Sequence, residues 1–202
     1  MAKVTRGFTG RESRPRVMAP PGQYDIEHVW PVLSAELTPD LPTDTWAFTV
    51  EGLAERPTTL TWDEMHALPQ STYAGDIHCV TAWSKHDMRF SGVPVDVLLD
   101  AAGVAPTATH VVAFFHTGYT TNLPLADVTG GKAWVAFEAK GEPLPVDHGG
   151  PARLLVPHLY FWKSAKWVAG LTVLDHDEPG FWETQGYHNH GDPWREGRYT
   201  GD

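Results

Sequence analysis

The chain has 202 residues and a formal net charge of −10, from 15 basic and 25 acidic side chains. That length supports one hydrophobic core, and the acidic balance excludes a general electrostatic footprint for nucleic acid or an anionic membrane surface. With 42% hydrophobic residues and nine tryptophans the composition is that of a globular, loop-rich protein, and its longest apolar run, Val111–Phe115, is far below the roughly 20 residues that span a bilayer.

Residues 1–23 carry Lys3, Arg6, Arg11, Arg14 and Arg16 together with Pro15, Pro20 and Pro21, and show no hydrophobic period. They read as a basic arm, extended or disordered, ahead of a single domain over 24–202. No apolar segment follows the basic residues, so the expected compartment is the cytoplasm. Trp46, Phe48 and Val50 alternate with Ala47 and Thr49 as in a strand. Thr61 followed by Glu64 predicts a capping box opening a short helix through Ala67, which Pro69 ends. Asp76–Ala82 reads as a strand. Gly92–Gly103 reads as a helix, with Pro94 in its first turn and Gly103 as its C-terminal cap. Further strands are expected over His110–His116, Lys132–Glu138, Ala152–Pro157 and Lys166–Leu174. Short helices among many strands favour an α+β fold with a mixed or mainly antiparallel sheet.

Cys79 is the only cysteine, so an internal disulfide is excluded and the residue is a free thiol or a ligand. It lies between apolar positions and a polar loop with Lys85 and His86. A neighbouring cation or metal lowers a thiol pKa, whereas apolar burial raises it, and a small buried core residue is the plain alternative. His78 and His86 with Cys79 could form a zinc site, although the spacing matches no recurrent structural zinc pattern. Tyr187-His188-Asn189-His190-Gly191-Asp192 offers two imidazoles and a carboxylate for a metal, or simply surface histidines.

The stretch from Asp147 to Trp167 carries more information. His148 and Arg153 flank a Gly-Gly-Pro turn, and Lys163, Ser164 and Lys166 share a second turn after an apolar strand. Backbone N–H groups, a hydroxyl and cationic heads gathered in this way suit a phosphate or another oxyanion. Solvated turns beside a strand are the alternative.

Three blocks over Trp46–Leu174 together resemble the molybdopterin-binding domain of the sulfite oxidase family, which includes the catalytic subunit of bacterial protein methionine sulfoxide reductase. They are Ile77-His78-Cys79 to Trp83 with Phe90-Ser91-Gly92-Val93-Pro94 and Leu98-Leu99; Gly118 to Leu125; and His148 to Trp167. The resemblance implies that family's α+β fold, a molybdenum–molybdopterin cofactor, and two-electron oxygen-atom transfer on a small molecule such as sulfite, an S-oxide or an N-oxide. By position it implies that Cys79 is the protein thiolate on the metal, a role that suits a soft ligand. It also implies that His148 and Arg153 hold the pterin, that Ser164, Ala165 and Lys166 receive its phosphate, and that Tyr119 stands beside the metal.

The chain departs from the family pattern after the cysteine. Thr81-Ala82-Trp83-Ser84-Lys85-His86 replaces an arginine-bearing segment that binds the anionic substrate, and His28-Val29-Trp30-Pro31-Val32 is only a loose counterpart of an N-terminal pterin-contact block. Lys85, His86, Tyr119 and His116 are the polar candidates for substrate contact. With no haem or dimerisation domain expected, a separate haem or flavin electron-transfer protein is the expected partner. The rival readings are a cofactor-free anion- or partner-binding module on the same fold and a zinc-dependent hydrolase.

Overall fold

Two sheets organise residues 18–115 and 117–202, the part of the chain that a computed structural model describes. In chain order the strands are β1 (Tyr24–Asp25), β2 (Ala47–Gly52), β3 (Thr58–Thr61), β4 (Ser71–His78), β5 (Trp83–Pro94), β6 (His110–Phe115), β7 (Thr120–Pro124), β8 (Trp134–Ala139), β9 (Glu142–Pro143), β10 (Arg153–Leu155) and β11 (Val168–Leu174). The helices are α1 (Trp62–Ala67), α2 (Val95–Ala102), α3 (Leu125–Val128) and α4 (Phe181–Thr184). One sheet runs β1-β5-β8-β10, with β4 also on β5 and β9 on β8, and the other runs β3-β2-β11-β6-β7. Pairs β1–β5 and β11–β2 are parallel and the rest antiparallel, so the fold is the mixed, mainly antiparallel α+β arrangement that the strand-rich sequence pattern favours.

The local signals that match structure are those with a backbone reason behind them. The Thr61 hydroxyl accepts from Glu64 N–H, and Glu64 accepts from Thr61 N–H at 2.8 Å, which completes the capping box of α1. Gly103 closes α2 with φ 69°, a left-handed conformation in which a β-carbon is costly. The helix itself starts at Val95, later than the pattern predicts, because Gly92, Val93 and Pro94 pair with Ala136, Val135 and Trp134 as the end of β5. The strand expected over Asp76–Ala82 ends at His78, and Cys79–Ala82 form a turn.

Strand alternation sets up two apolar clusters. Val93, Val135, Phe137 and Leu154 join Phe48, Val111 and Leu171 of the other sheet in the larger core. Their neighbours Phe90, Trp134, Ala136 and Leu155 point the opposite way and pack with Ile77, Cys79 and Trp83. β8 is therefore buried on both faces, as its nearly unbroken apolar sequence requires. Ile26, Trp30 and Phe161 pack over the second cluster from loops. Cys79 thus sits on the outer side of the first sheet, where loops cover it.

Among the described residues no helix is long and apolar enough to cross a membrane. Residues 1–17 of the basic arm lie outside the described residues, as does His116. Gln23, placed by its sequence at the end of that arm, donates to the Cys79 carbonyl at 3.1 Å and accepts from Ser84 Oγ at 3.2 Å.

Candidate active site

Cys79 is the first residue of a four-residue turn. Its carbonyl accepts from Ala82 N–H at 3.1 Å, its own N–H donates to Trp83 O at 2.8 Å, and Ala82 holds a φ of 73°. The thiol is 8% exposed and accepts from Thr81 Oγ1 at 3.1 Å. Burial pushes the thiol pKa up, partly offset by Thr81, the Val80 backbone and the Arg198 charge. In the free protein the group is a protonated thiol, and a metal would have to displace its proton.

His78, just before the turn, forms a parallel bridge with Tyr160, and its carbonyl accepts from Phe161 N–H at 2.8 Å. This joint brings the cysteine turn against the loop that carries Ser164, Ala165 and Lys166. That loop folds back on β10: Leu154 N–H donates to Ala165 O at 2.8 Å, and Val156 N–H donates to Ser164 Oγ at 2.8 Å. Arg153, 1% exposed, spans the space between the two turns, donating to His148 O at 2.7 Å and to Ser164 O, with its guanidinium 4.0 Å above the Phe161 ring. Gly149 makes this approach possible. Its φ is 106°, and a β-carbon there would lie 3.0 Å from both Arg153 Cβ and Lys166 Cα.

A cavity of about 320 Å³ opens between these segments. Cys79, Tyr119, His148, Arg153, Ser164, Ala165 and Lys166 all line it. The seven residues to which the family resemblance gives a role at the cofactor, spread from Cys79 to Lys166, therefore face one space. Its electrostatics are lopsided. Neither Arg153 nor Lys166 has an ion pair among the described residues. Lys166 Nζ is buried without a hydrogen-bond partner, and the Ala165 and Lys166 backbone N–H groups have none among the described residues. Burial pushes Lys166 down to about 8 and Arg153 to about 9; burial, with Arg153 and Lys166 alongside, pushes His148 down to about 4. Buried cationic groups and free N–H groups without a counter-charge are costly unless an anion joins them. The cluster has the donor set of an oxyanion site, and it fits a phosphate-bearing cofactor.

The other lining is aromatic. Trp30 stacks on His148, with ring centroids 3.7 Å apart and planes 11° from parallel. Tyr119, partly buried, donates to Trp162 O at 3.4 Å, and burial followed by the Glu183, Glu36 and Tyr187 charges raises its pKa well above the usual phenol value. Its hydroxyl stays a donor. Trp182 and Tyr187, ring centroids 4.8 Å apart, extend this wall, and the Tyr187 hydroxyl is raised by burial and then by Tyr199 and Cys79.

Several expectations fail in the geometry. Lys85 does not line the cavity; its Nζ donates to Val29 O at 3.3 Å and Ile26 O at 3.4 Å, bracing the loop that carries Trp30. His86 faces Asp76 at 2.9 Å. Lys163 turns away from the oxyanion cluster to pair with Glu183 at 2.7 Å, both side chains being buried, and donates to Asn122 O and Oδ1 at 2.8 and 2.9 Å. His28, to which the sequence assigns no contact, has a side chain 89% exposed. His190 and His158 both engage Asp127, at 2.8 and 3.1 Å; burial alone would raise that carboxyl, but these contacts outweigh it and hold it far below its usual range. Among the described residues no group of three or more His, Cys, Asp or Glu side chains is placed to hold a metal ion, which removes the geometric basis for a zinc site built on His78, Cys79 and His86.

The sequence pattern assigns no role to Trp162 or Trp182, and it marks Tyr187 only as the start of the histidine-bearing Tyr187–Asp192 stretch. Trp30 stood inside the loose His28–Val32 counterpart, where its position before a proline was the available signal.

The family model described as "Oxidoreductase molybdopterin binding domain" matches residues 35–182. The uncharacterized oxidoreductase YuiH of Bacillus subtilis (strain 168) is 40% identical over 193 residues, covering 95% of this chain and 97% of its own length. The protein-methionine-sulfoxide reductase catalytic subunit MsrP of Gluconobacter oxydans (strain 621H) is 28% identical over 157 residues, which cover 68% of this chain and 49% of that protein, so the chain spans about half of this relative. Among solved structures, the sulfane dehydrogenase SoxCD of Paracoccus pantotrophus aligns with a TM-score of 0.64 and 27% identity over 69% of this chain and 41% of that one. With its sheets, its cavity and these matches agreeing, the chain belongs to the oxidoreductase molybdopterin-binding domain family, and its cofactor is molybdenum–molybdopterin.

Proposed function

We propose that the protein is a molybdenum–molybdopterin oxidoreductase that carries out two-electron oxygen-atom transfer at a sulfur or nitrogen centre, with Cys79 as the protein ligand to the metal. The observation that carries this reading is the single cavity in which a lone thiol and an uncompensated cation cluster face the same space. When bound, the molybdenum centre supplies the redox and oxygen-transfer chemistry. The chain's own residues do the rest. Arg153 and Lys166, with the Ala165 and Lys166 N–H groups, would hold the cofactor's phosphate, and His148 stacked on Trp30 would bound the pterin. Tyr119 would donate its hydroxyl to an oxygen in the cavity, since burial keeps it protonated. Trp162, Trp182 and Tyr187 exclude water from the opposite wall.

The reading narrows the substrate. Among the described residues the lining carries no cation beyond Arg153 and Lys166, and Lys85 and His86 do not reach it. With that cluster occupied, an uncharged S-oxide or N-oxide fits the remaining aromatic wall better than sulfite does. Electrons would be exchanged with a separate haem or flavin protein. The test is a turnover screen of the metal-loaded protein against an S-oxide, an N-oxide and sulfite with artificial electron carriers. Oxide reduction is expected to exceed sulfite oxidation. A folded protein that contains neither molybdenum nor pterin after expression in a host that makes both would overturn the reading in favour of a binding module.

Replacing Lys166 or Arg153 by Ala removes one charge-assisted contact worth about 1.5–3 kcal/mol, so pterin retention is expected to fall about 10- to 100-fold in each variant. Fluorescence assay of released pterin after gel filtration reads this directly, and equal occupancy in wild type and both variants would refute the anchor. The same contact gives a pH dependence. Lys166 is held at about 8 in the free protein, and a bound anion raises it. The Lys166 contribution to retention should be full below about pH 8 and be lost as pH rises from there through the raised bound-state value, whereas Lys166→Arg should flatten the decline.

A further inference from the structure

The family match ends at residue 182, yet the chain beyond it returns to the cysteine turn. Arg198 Nη1 donates to the Val80 carbonyl at 2.5 Å, Nη2 reaches Pro21 O at 3.5 Å, and the guanidinium lies 5.0 Å from the centroid of the buried Tyr160 ring. The tail that delivers it is itself ordered by hydrogen bonds: Arg198 N–H donates to Asp202 Oδ2 at 2.9 Å, His188 N–H donates to Arg198 O at 3.1 Å, and Tyr187 and Tyr199 form a bridge. Arg198 has no ion pair among the described residues.

We propose that Arg198 is a positioning residue for the metal site, fixing the Cys79–Ala82 turn through the Val80 carbonyl and keeping a permanent positive charge beside the thiolate ligand. The inference rests on the reading of Cys79 as that ligand. The turn is closed by one internal backbone–backbone hydrogen bond, and Arg198 is the only donor to the Val80 carbonyl at its centre among the described residues. Gln23 holds the Cys79 carbonyl from the N-terminal side, and Arg198 holds the next carbonyl from the C-terminal side. Only Arg198 adds charge. A fixed cation near a metal centre favours the reduced, more negative state, so losing it lowers the midpoint potential.

Arg198→Ala, Arg198→Lys and Arg198→Gln separate the two contributions, because Lys keeps the charge and Gln keeps a donor. Molybdenum content, the Mo(V) electron paramagnetic resonance spectrum and the midpoint potential are measured on each metal-loaded protein, with Cys79→Ser as a control. Arg198→Ala is expected to retain roughly tenfold less metal, with an altered spectrum and a more negative potential. Lys should restore the potential, and Gln should restore the metal content while leaving the potential low. Should Ala fail to fold, the Lys and Gln pair still decides the matter. Wild-type spectra and potentials in both Ala and Gln, or a Lys variant as shifted as Gln, would overturn the proposal. A wild-type spectrum in Cys79→Ser would instead overturn the ligand reading beneath it.

Discussion

Cys79→Ser is expected to abolish oxygen-atom transfer while the protein remains folded. The side chain loses its soft donor but almost no volume, and a serine hydroxyl can keep the hydrogen bond with Thr81. Loss of a partner outside a metal's ligand set costs about 10- to 100-fold in affinity or activity, so loss of the proposed ligand itself should cost more than about 100-fold in activity, while the pterin contacts still hold the cofactor. The cavity explains why the fold should tolerate the change. The turn is closed by backbone bonds to Ala82 and Trp83 and by Gln23, none of which involves sulfur. Activity within tenfold of wild type, in a protein with an unchanged melting curve, would remove Cys79 from the site.

Lys163→Met is expected to destabilise the protein more than Cys79→Ser or a change to Arg153, Lys166 or Arg198. Lys163 is fully buried, pairs with Glu183 at 2.7 Å and donates twice to Asn122 on β7. Asn122 donates in turn to Asp177 at 2.6 Å and Asn189 at 2.9 Å, and Glu183 accepts from Trp162 Nε1 at 2.8 Å. Removing one partner of a buried pair leaves the other charge uncompensated, at a cost of about 3–5 kcal/mol. For a chain of this size that corresponds to a fall in melting temperature of about 6–20 °C. Adding Glu183→Gln should recover part of the loss, since the orphaned charge goes while the Trp162 contact stays. A single-variant shift under about 2 °C would show that the network contributes little to stability. Because Trp162 walls the cavity and its carbonyl accepts from Tyr119, the same variant should also weaken pterin retention.

The sequence exposed those features whose cause is local. The Thr61–Glu64 box and the Gly103 cap need only neighbouring backbone groups, and β6 and β11 announce themselves by apolar runs. β5 did not, for a physical reason: its pairing with β4 shifts between Gly75 and Ile77, Asp87 sits at φ 55°, and Lys85 is buried because it donates to loop carbonyls far away in sequence. A bulge changes which residues face inward, so the period-two pattern is broken where the strand is longest. At the site, the clustered Gly-Gly-Pro and Ser-Ala-Lys turns were readable as an oxyanion cradle, because their donors lie close along the chain. Lys163 was assigned to that cradle by proximity, and only the tertiary position of Glu183 turns it elsewhere. Tyr187 and Arg198 carry no such local signal, since each acts through a tail that folds back across more than 100 positions, as in the Arg198 contact to Val80.

On the proposed function, Cys79 would complete the coordination of a molybdenum centre held in this cavity. X-ray absorption at the molybdenum edge of the loaded protein tests it most directly, by comparing the sulfur shell of wild type with that of Cys79→Ser. One fewer sulfur neighbour is expected in the variant at otherwise similar pterin occupancy; identical sulfur shells in the two proteins would contradict the assignment of Cys79 as a ligand.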